Sequence, residues 1–386
     1  MSVKSYKKIL IIGLIDDIGG REIETKNIIN ALSENYEIRV VSLFFMTSNS
    51  EAIKGVKCNW SNIYYLLYKS NVFLKLISFL VKKYHQKQTP TYFLVDNKIS
   101  RKLFDFHKLK LNILKKEIDN ASAVLYCGTM HLNILNDVIK YCHDKKKPFV
   151  IRTTGKIKSI PKGLEQLIQL VPVVLVHSIT NANLLKKFKA QTIEVIDQTT
   201  LQEQNLLTIP VLEKKELTFG YLGRFSEEKG VIELLKTFNK LQQKLIVAGS
   251  GPLQDEVNKL LAPNITILET ISPNKIADFF KSIDVLIIPS IEEAGPLVGI
   301  EAMASGKIII STRVGAMEDR LLGTLNNFWF DISDKDTLVN QIQAVSNMES
   351  NEIICIKENV RQYYIENYSV NRISKKYIKL FDNQIN

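Results

Sequence analysis

The strongest constraint on the fold is an alternation that runs from end to end of the chain. Apolar runs of strand length at 9–15, 38–43, 124–126, 149–151, 173–177, 217–222, 245–248, 265–268, 285–289 and 308–311 are separated by segments of helical periodicity. Parallel strands need a crossover of a dozen or more residues and bury both faces, so this spacing predicts parallel sheets with helices on the connections. Ten strands are about two sheets' worth. A length of 386 residues leaves room for two or three domains.

Composition narrows the class further. With 45% hydrophobic and 24% charged residues, and only 17 Gly and 10 Pro, the chain is expected to build ordinary cores with little disorder. Cys58, Cys127, Cys142 and Cys355 form no CxxC pair and stand near no histidine at ligand spacing. Neither a disulfide framework nor a zinc site is expected, which points to a reducing, cytoplasmic setting. Lys4, Lys7 and Lys8 precede the first apolar run, but that run is short and ends at Asp16-Asp17, so it reads as a buried strand rather than a signal peptide. The other long apolar stretch, 71–81, is broken by Lys75 and is too short to cross a bilayer.

The net charge of +11 is unevenly placed: residues 1–200 hold 31 Lys/Arg against 16 Asp/Glu, and residues 201–386 hold 20 against 24. Residues 53–116 alone carry 14 basic and two acidic side chains, interleaved with Tyr64, Tyr65, Tyr68, Phe73, Phe79, Tyr84, Tyr92, Phe93, Phe104 and Phe106. This segment reads as a mostly helical insertion between the second and third predicted strands, suited to an anionic surface. The charge balance changes sign across 197–217, a stretch with no clear period that contains Pro210 and Glu213-Lys214-Lys215-Glu216. The expected organisation is therefore a first domain over 1–200 with the insertion 53–116, a second over 201–368, and a closing helix within 369–386.

Four strand ends carry candidate chemistry. Residues 289–306, from Pro289 to Gly306, read as a strand end, a Gly295-Pro296 loop and a helix, with Glu293 and Glu301 eight residues apart. At about 1.5 Å of rise per residue the carboxylates are separated by at most about 12 Å, with free N–H groups of a helix start between them. A diphosphate fits there, with one carboxylate for a sugar's hydroxyls and the other for a ribose. Gly223-Arg224 and Lys229-Gly230 frame a strand-to-helix turn where a guanidinium fork and an ammonium suit phosphate oxygens, although Glu227 and Glu228 offer them local surface partners. Gly249-Ser-Gly251-Pro252 and Gly19-Gly20 follow two more strands, where glycine permits close backbone approach. Neither matches GxGxxG, which disfavours a nicotinamide or flavin site.

In this order and combination the GR-x4-KG turn, the G-x-GP turn, the E-x7-E element with its EAMASG ending and the Gly19-Gly20 turn make the chain resemble the family 4 retaining glycosyltransferases. That resemblance implies an α/β fold of the GT-B type, two facing Rossmann-like domains with parallel sheets and a C-terminal helix closing back on the first. It also implies a metal-independent hexosyltransferase that moves a sugar from a nucleotide-sugar donor to a glycan or lipid-linked acceptor in surface polysaccharide synthesis. Arg224 and Lys229 would hold the donor diphosphate, Glu293 with Gly295, Pro296, Leu297 and Val298 the sugar side, and Glu301 the ribose. Thr270 and Ile271 would meet the nucleobase, and Gly223, Gly251, Gly19 and Gly20 would line the donor. His131 is the nearest candidate for a histidine beside the donor sugar, and Arg152 is a second basic group considered for the cleft. The protein would work in the cytoplasm, peripherally on the inner face of an anionic membrane. Two other readings stay open: a basic nucleic-acid- or membrane-binding protein without catalysis, and a glycoside hydrolase using Glu293 and Glu301.

Overall fold

The computed structural model describes residues 6–85, 88–155, 157, 159–213 and 216–385. Lys4, Lys87, Lys214 and Lys215 of the charged segments lie outside the described residues. The chain divides into two compact units. The first comprises Met1–Val176, Ala182–Ile196 and Ser374–Asn386, and the second His177–Asn181 and Asp197–Ile373.

The first unit is built on seven parallel strands: β1 (Lys8–Gly13), β2 (Glu37–Ser42), β3 (Asn59–Asn62), β4 (Ala123–Gly128), β5 (Phe149–Thr153), β6 (Val173–Val176) and β7 (Thr192–Val195). Their order is β3-β2-β1-β4-β5-β6-β7. Helices cover both faces of the central strands, so every residue of β4 and β5 is buried; β4 is apolar throughout, whereas β5 ends in Arg152 and Thr153. Ile9–Ile12 of β1 are fully enclosed, which fits a central strand. Helix α1 (Gly20–Leu32) connects β1 to β2.

The basic aromatic segment is not helical throughout. It opens with β3, which extends the sheet at its outer edge beside β2. Helices α2 (Ile63–Ser70), α3 (Val72–His85) and α4 (Lys98–Leu103) follow, and α5 (Phe106–Asp119) is the crossover onto β4. Asn62 ends the strand and starts the helix, its side chain accepting from the Tyr65 amide in an N-cap. Tyr64, Leu67, Leu74, Leu114 and Ile118 belong to the first core.

The second unit holds six parallel strands: β8 (Thr218–Leu222), β9 (Lys244–Ala248), β10 (Ile265–Leu268), β11 (Val285–Ile288), β12 (Ile308–Ser311) and β13 (Phe328–Trp329). Their order is β10-β9-β8-β11-β12-β13. Each unit buries a hydrophobic cluster of its own. The last helix, Val370–Ile385, carries residues of both units, and from Ser374 onward it belongs to the first. There the Tyr36 hydroxyl donates to Asp382, the Tyr36 and Phe381 rings meet edge-on at 6.4 Å, and Lys7 donates to the Ile385 carbonyl.

Candidate functional site

In an open parallel sheet, ligands bind outside the carboxyl ends of the strands where the strand order reverses. In the second unit that reversal lies between β8 and β11. The loops after β8, β9, β10 and β11 leave the same edge of the sheet, and they contain the motifs singled out above.

Those loops are tied to one another. The Ile291 amide donates to the Glu228 carbonyl at 2.8 Å, which joins the loop after β11 to the turn after β8. Gly230 has φ +67°, and a Cβ there would overlap the Pro289 carbonyl, so only glycine allows this approach. The two loops also meet through side chains: the Lys229 ammonium is ion-paired to Glu293 Oε1, and the Ser290 hydroxyl lies 3.4 Å from the same oxygen. Lys229 thus finds its partner 64 positions away rather than in Glu227 or Glu228. Glu228 instead accepts from the Ser226 hydroxyl at 2.6 Å, and this bond holds its carboxyl below the ordinary range. The Arg224 side chain is exposed. Its carbonyl accepts from the Tyr221 hydroxyl at 2.9 Å, which fixes the turn from below.

The loop after β9 packs against this turn. A Cβ at Gly249 would strike the Gly223 carbonyl, and one at Gly251 would strike the Phe225 backbone. The contact is completed by the Phe225 amide donating to Ser250 O at 2.9 Å and the Leu253 amide donating to Phe225 O at 3.0 Å. The missing Cβ of Gly251 therefore lets the loop pack on the Phe225 backbone. Thr270, exposed after β10, donates to the Ser250 hydroxyl at 2.7 Å, and Ile271 beside it is half-buried.

Helix Leu297–Ala304 begins at Pro296 without a side-chain cap. Its first N–H groups are the kind that accept an anion, and Leu297 and Val298 there are half-buried. The start of this helix is positioned by a residue that the sequence did not single out. Arg320 is fully buried; it donates to both oxygens of Asp197 at 2.7 Å and to the Pro296 carbonyl at 2.5 Å. A Cβ at Gly295 would stand 3.0 Å from the same guanidinium, so the Gly295-Pro296 loop lies directly over it.

Glu301 differs from the expected open carboxylate. It is only 5% exposed, and burial pushes its carboxyl up to about 8, an effect partly offset by a hydrogen bond from Thr200. Glu293 and Glu301 accordingly do not flank an open space as a hydrolase pair must. Because the folded state raises this affinity for a proton, stability is full below the ordinary glutamate range and falls as pH rises toward about 8. Glu301→Gln should flatten that slope, and melting temperatures across pH 5–9 check it. Parallel curves for the two proteins would contradict the assignment.

The remaining candidates lie in the first unit. Gly19 and Gly20 form the start of α1 after β1; a Cβ at Gly19 would meet Glu22, whereas Gly20 faces open space. His131 is exposed, two residues before helix Asn133–Asp144. Arg152 is fully buried on β5, bound to Glu24 of α1 and to the Val176 and Ile196 carbonyls. It ties α1 to the ends of β6 and β7, and the reading of Arg152 as a cleft residue is corrected. Among the described residues no helix is long and apolar enough to cross a membrane, and all four cysteines are free.

Comparison with known proteins bears on these strand ends. Residues 203–367 match the family described as "Glycosyl transferases group 1". An uncharacterised glycosyltransferase, MJ1607 of Methanocaldococcus jannaschii, is 26% identical over 171 residues, which cover 42% of this chain and 43% of that protein. The lipopolysaccharide 1,2-N-acetylglucosaminetransferase of Salmonella typhimurium is 25% identical over 177 residues, covering 41% of this chain and 46% of the relative. The aligned segments thus span less than half the length of these curated relatives. The structure of Anabaena Alr3699/HepE in complex with UDP and glucose superposes with a TM-score of 0.71 at 14% identity, covering 98% of this chain and all of that one. The likeness establishes a shared two-unit α/β fold of the GT-B type.

Proposed function

We propose, on the match of residues 203–367 to the group 1 glycosyltransferases, that the chain transfers a hexose from a nucleoside diphosphate donor to a glycan or lipid-linked sugar, with retention of configuration, in the synthesis of a surface polysaccharide. The observation that carries this reading is the convergence of Arg224, the Lys229–Glu293 pair and the uncapped helix start at Leu297 on the loops at one strand-order reversal. A departing nucleoside diphosphate gathers negative charge on its β-phosphate as the bond to the anomeric carbon breaks. A guanidinium, an ammonium and helix N–H groups aimed at that charge stabilise the transition state more than the ground state.

Glu293, released from Lys229 as the phosphates take up the ammonium, is then placed for a hydroxyl of the transferred sugar beside Gly295–Val298. Glu301 takes the ribose by exchanging its hydrogen bond from Thr200 for bonds from the sugar's hydroxyls. Thr270 and Ile271 meet the base. The acceptor hydroxyl forms the new glycosidic bond and its proton leaves with the phosphate. Relatives and neighbours support the donor class, since one relative is a lipopolysaccharide sugar transferase and one neighbour was solved with UDP and glucose.

The test is release of nucleoside diphosphate from a panel of UDP-, GDP-, ADP- and dTDP-sugars with a glycan acceptor, followed by proton NMR of the new anomeric linkage. One donor class should be consumed, and the coupling constant should report retention. No release from any donor, or an inverted product, would contradict the proposal. In this reading cationic side chains do the work of a metal, so turnover should persist in excess EDTA; abolition by EDTA and rescue by a divalent cation would reject that part.

A further inference from the structure

Helix α3 turns its apolar side the wrong way for a core helix. Val72, Phe73, Leu76, Phe79 and Leu80 are 56–69% exposed. At 3.6 residues per turn they fall within an arc of about 120° on one side of the helix. The opposite side supplies the packing, with Leu74 and Ser78 fully buried. Monomeric soluble proteins rarely leave a contiguous patch of large apolar side chains in water. Neighbouring α4 packs beside α3 and adds exposed Ile99 and Leu103.

The surrounding charge identifies what covers this face. Lys69 of α2 and Lys98 and Lys102 of α4 are exposed on the helices packed beside it, in a segment with 14 basic and two acidic residues. A symmetric contact with a second copy would set this segment against its own like charge. An anionic bilayer supplies both missing halves, acyl chains for the apolar stripe and phosphates for the lysines. A helix of 14 residues is too short to span. We infer that α3 lies in the plane of an anionic membrane with Phe73, Leu76, Phe79 and Leu80 inserted below the headgroups and the lysines of α2 and α4 resting on them. This is an attachment by insertion, beyond the purely electrostatic contact that the charge distribution alone predicts. It stands independently of the transfer reaction.

Flotation of the full-length protein with phosphatidylcholine vesicles, with and without phosphatidylglycerol, tests it. The wild type should float with the anionic vesicles and retain part of that binding at high salt, because screening removes only the charge contribution. The variant carrying Phe73→Ser, Leu76→Ser, Phe79→Ser and Leu80→Ser should lose binding at least about tenfold, with an unchanged circular dichroism spectrum. Lys69→Gln, Lys98→Gln and Lys102→Gln together should weaken only the salt-sensitive part. As a check that needs no loss of function, the emission that Phe79→Trp adds to that of the wild type should shift to the blue on adding anionic vesicles and be quenched by brominated acyl chains. Equal flotation of the serine variant and the wild type would overturn the inference, as would an unshifted added emission in the Phe79→Trp variant. A wild-type dimer that the serine substitutions convert to monomer would also overturn it, by assigning the face to a second copy.

Discussion

Lys229→Ala and Arg224→Ala are each expected to lower kcat/KM by about two to three orders of magnitude, the loss typical when one preorganised group is removed from a developing charge. The two residues differ in how they are held, and so should the accompanying effects. Arg224 is exposed and acts on the fold only as a charge near Glu228, so its removal should move the melting temperature little. Lys229 is half-buried and paired to Glu293, and its loss frees a carboxylate that also lies beside Ser290. The pair is partly solvated, so the stability change should be small beside the kinetic one. Nucleotide affinity should fall less than turnover in both variants, because the leaving group's charge is greatest in the transition state. Steady-state kinetics with melting curves on the same preparations check this. Unchanged turnover in both variants would remove the proposed roles.

The second large effect concerns stability. Arg320→Ala should cost about 3–5 kcal/mol, because it strands Asp197, itself 5% exposed, without its bidentate partner. Replacing both partners, Arg320→Met with Asp197→Leu, should recover much of the loss, since no buried charge then remains. The double variant still lacks the tether from Arg320 to the Pro296 carbonyl at the start of helix Leu297–Ala304. Donor binding should therefore stay weak after stability has returned. Chemical denaturation and ligand titration on the single and double variants separate the two consequences. Full recovery of both would show that Arg320 serves packing alone.

Much of this architecture was legible in the sequence for a definite reason. Central strands such as β4 and β11 bury both faces, and each reads as an unbroken apolar run. The strands missed, β3 (Asn59–Asn62), β7 (Thr192–Val195) and β13 (Phe328–Trp329), all lie at sheet edges. There a short, half-covered strand needs no apolar run, and NWSN or TIEV does not read as one. The Lys229 turn was legible as a strand-to-helix turn, but the partner of Lys229 was not, because Glu293 arrives from the next-but-two strand end. The same limit hid Arg320 and Asp197, which are 123 positions apart and belong to no motif.

Glycine signatures proved ambiguous in a different way. Close approach at Gly249 and Gly251 was readable, but a ligand and a neighbouring backbone demand the same absence of Cβ. Burial was the least legible quantity. Arg152 and Glu301 both looked available from their positions after or beyond strand ends, yet one anchors strand ends in a core and the other is enclosed in its helix. Conversely, the apolar residues of α3 have the period of a packed helix and nevertheless face outward.

The proposed transfer requires the loops at the β8/β11 reversal to grip the pyrophosphate of an activated sugar. Isothermal titration of the full-length chain with UDP, GDP, ADP and dTDP, repeated on the Arg224→Ala, Lys229→Ala double variant, tests it most directly. Saturable binding of at least one nucleotide to the wild type is expected, with an affinity about tenfold or more lower in the double variant. Equal affinity in the two proteins, or no heat from any of the four nucleotides, would contradict it.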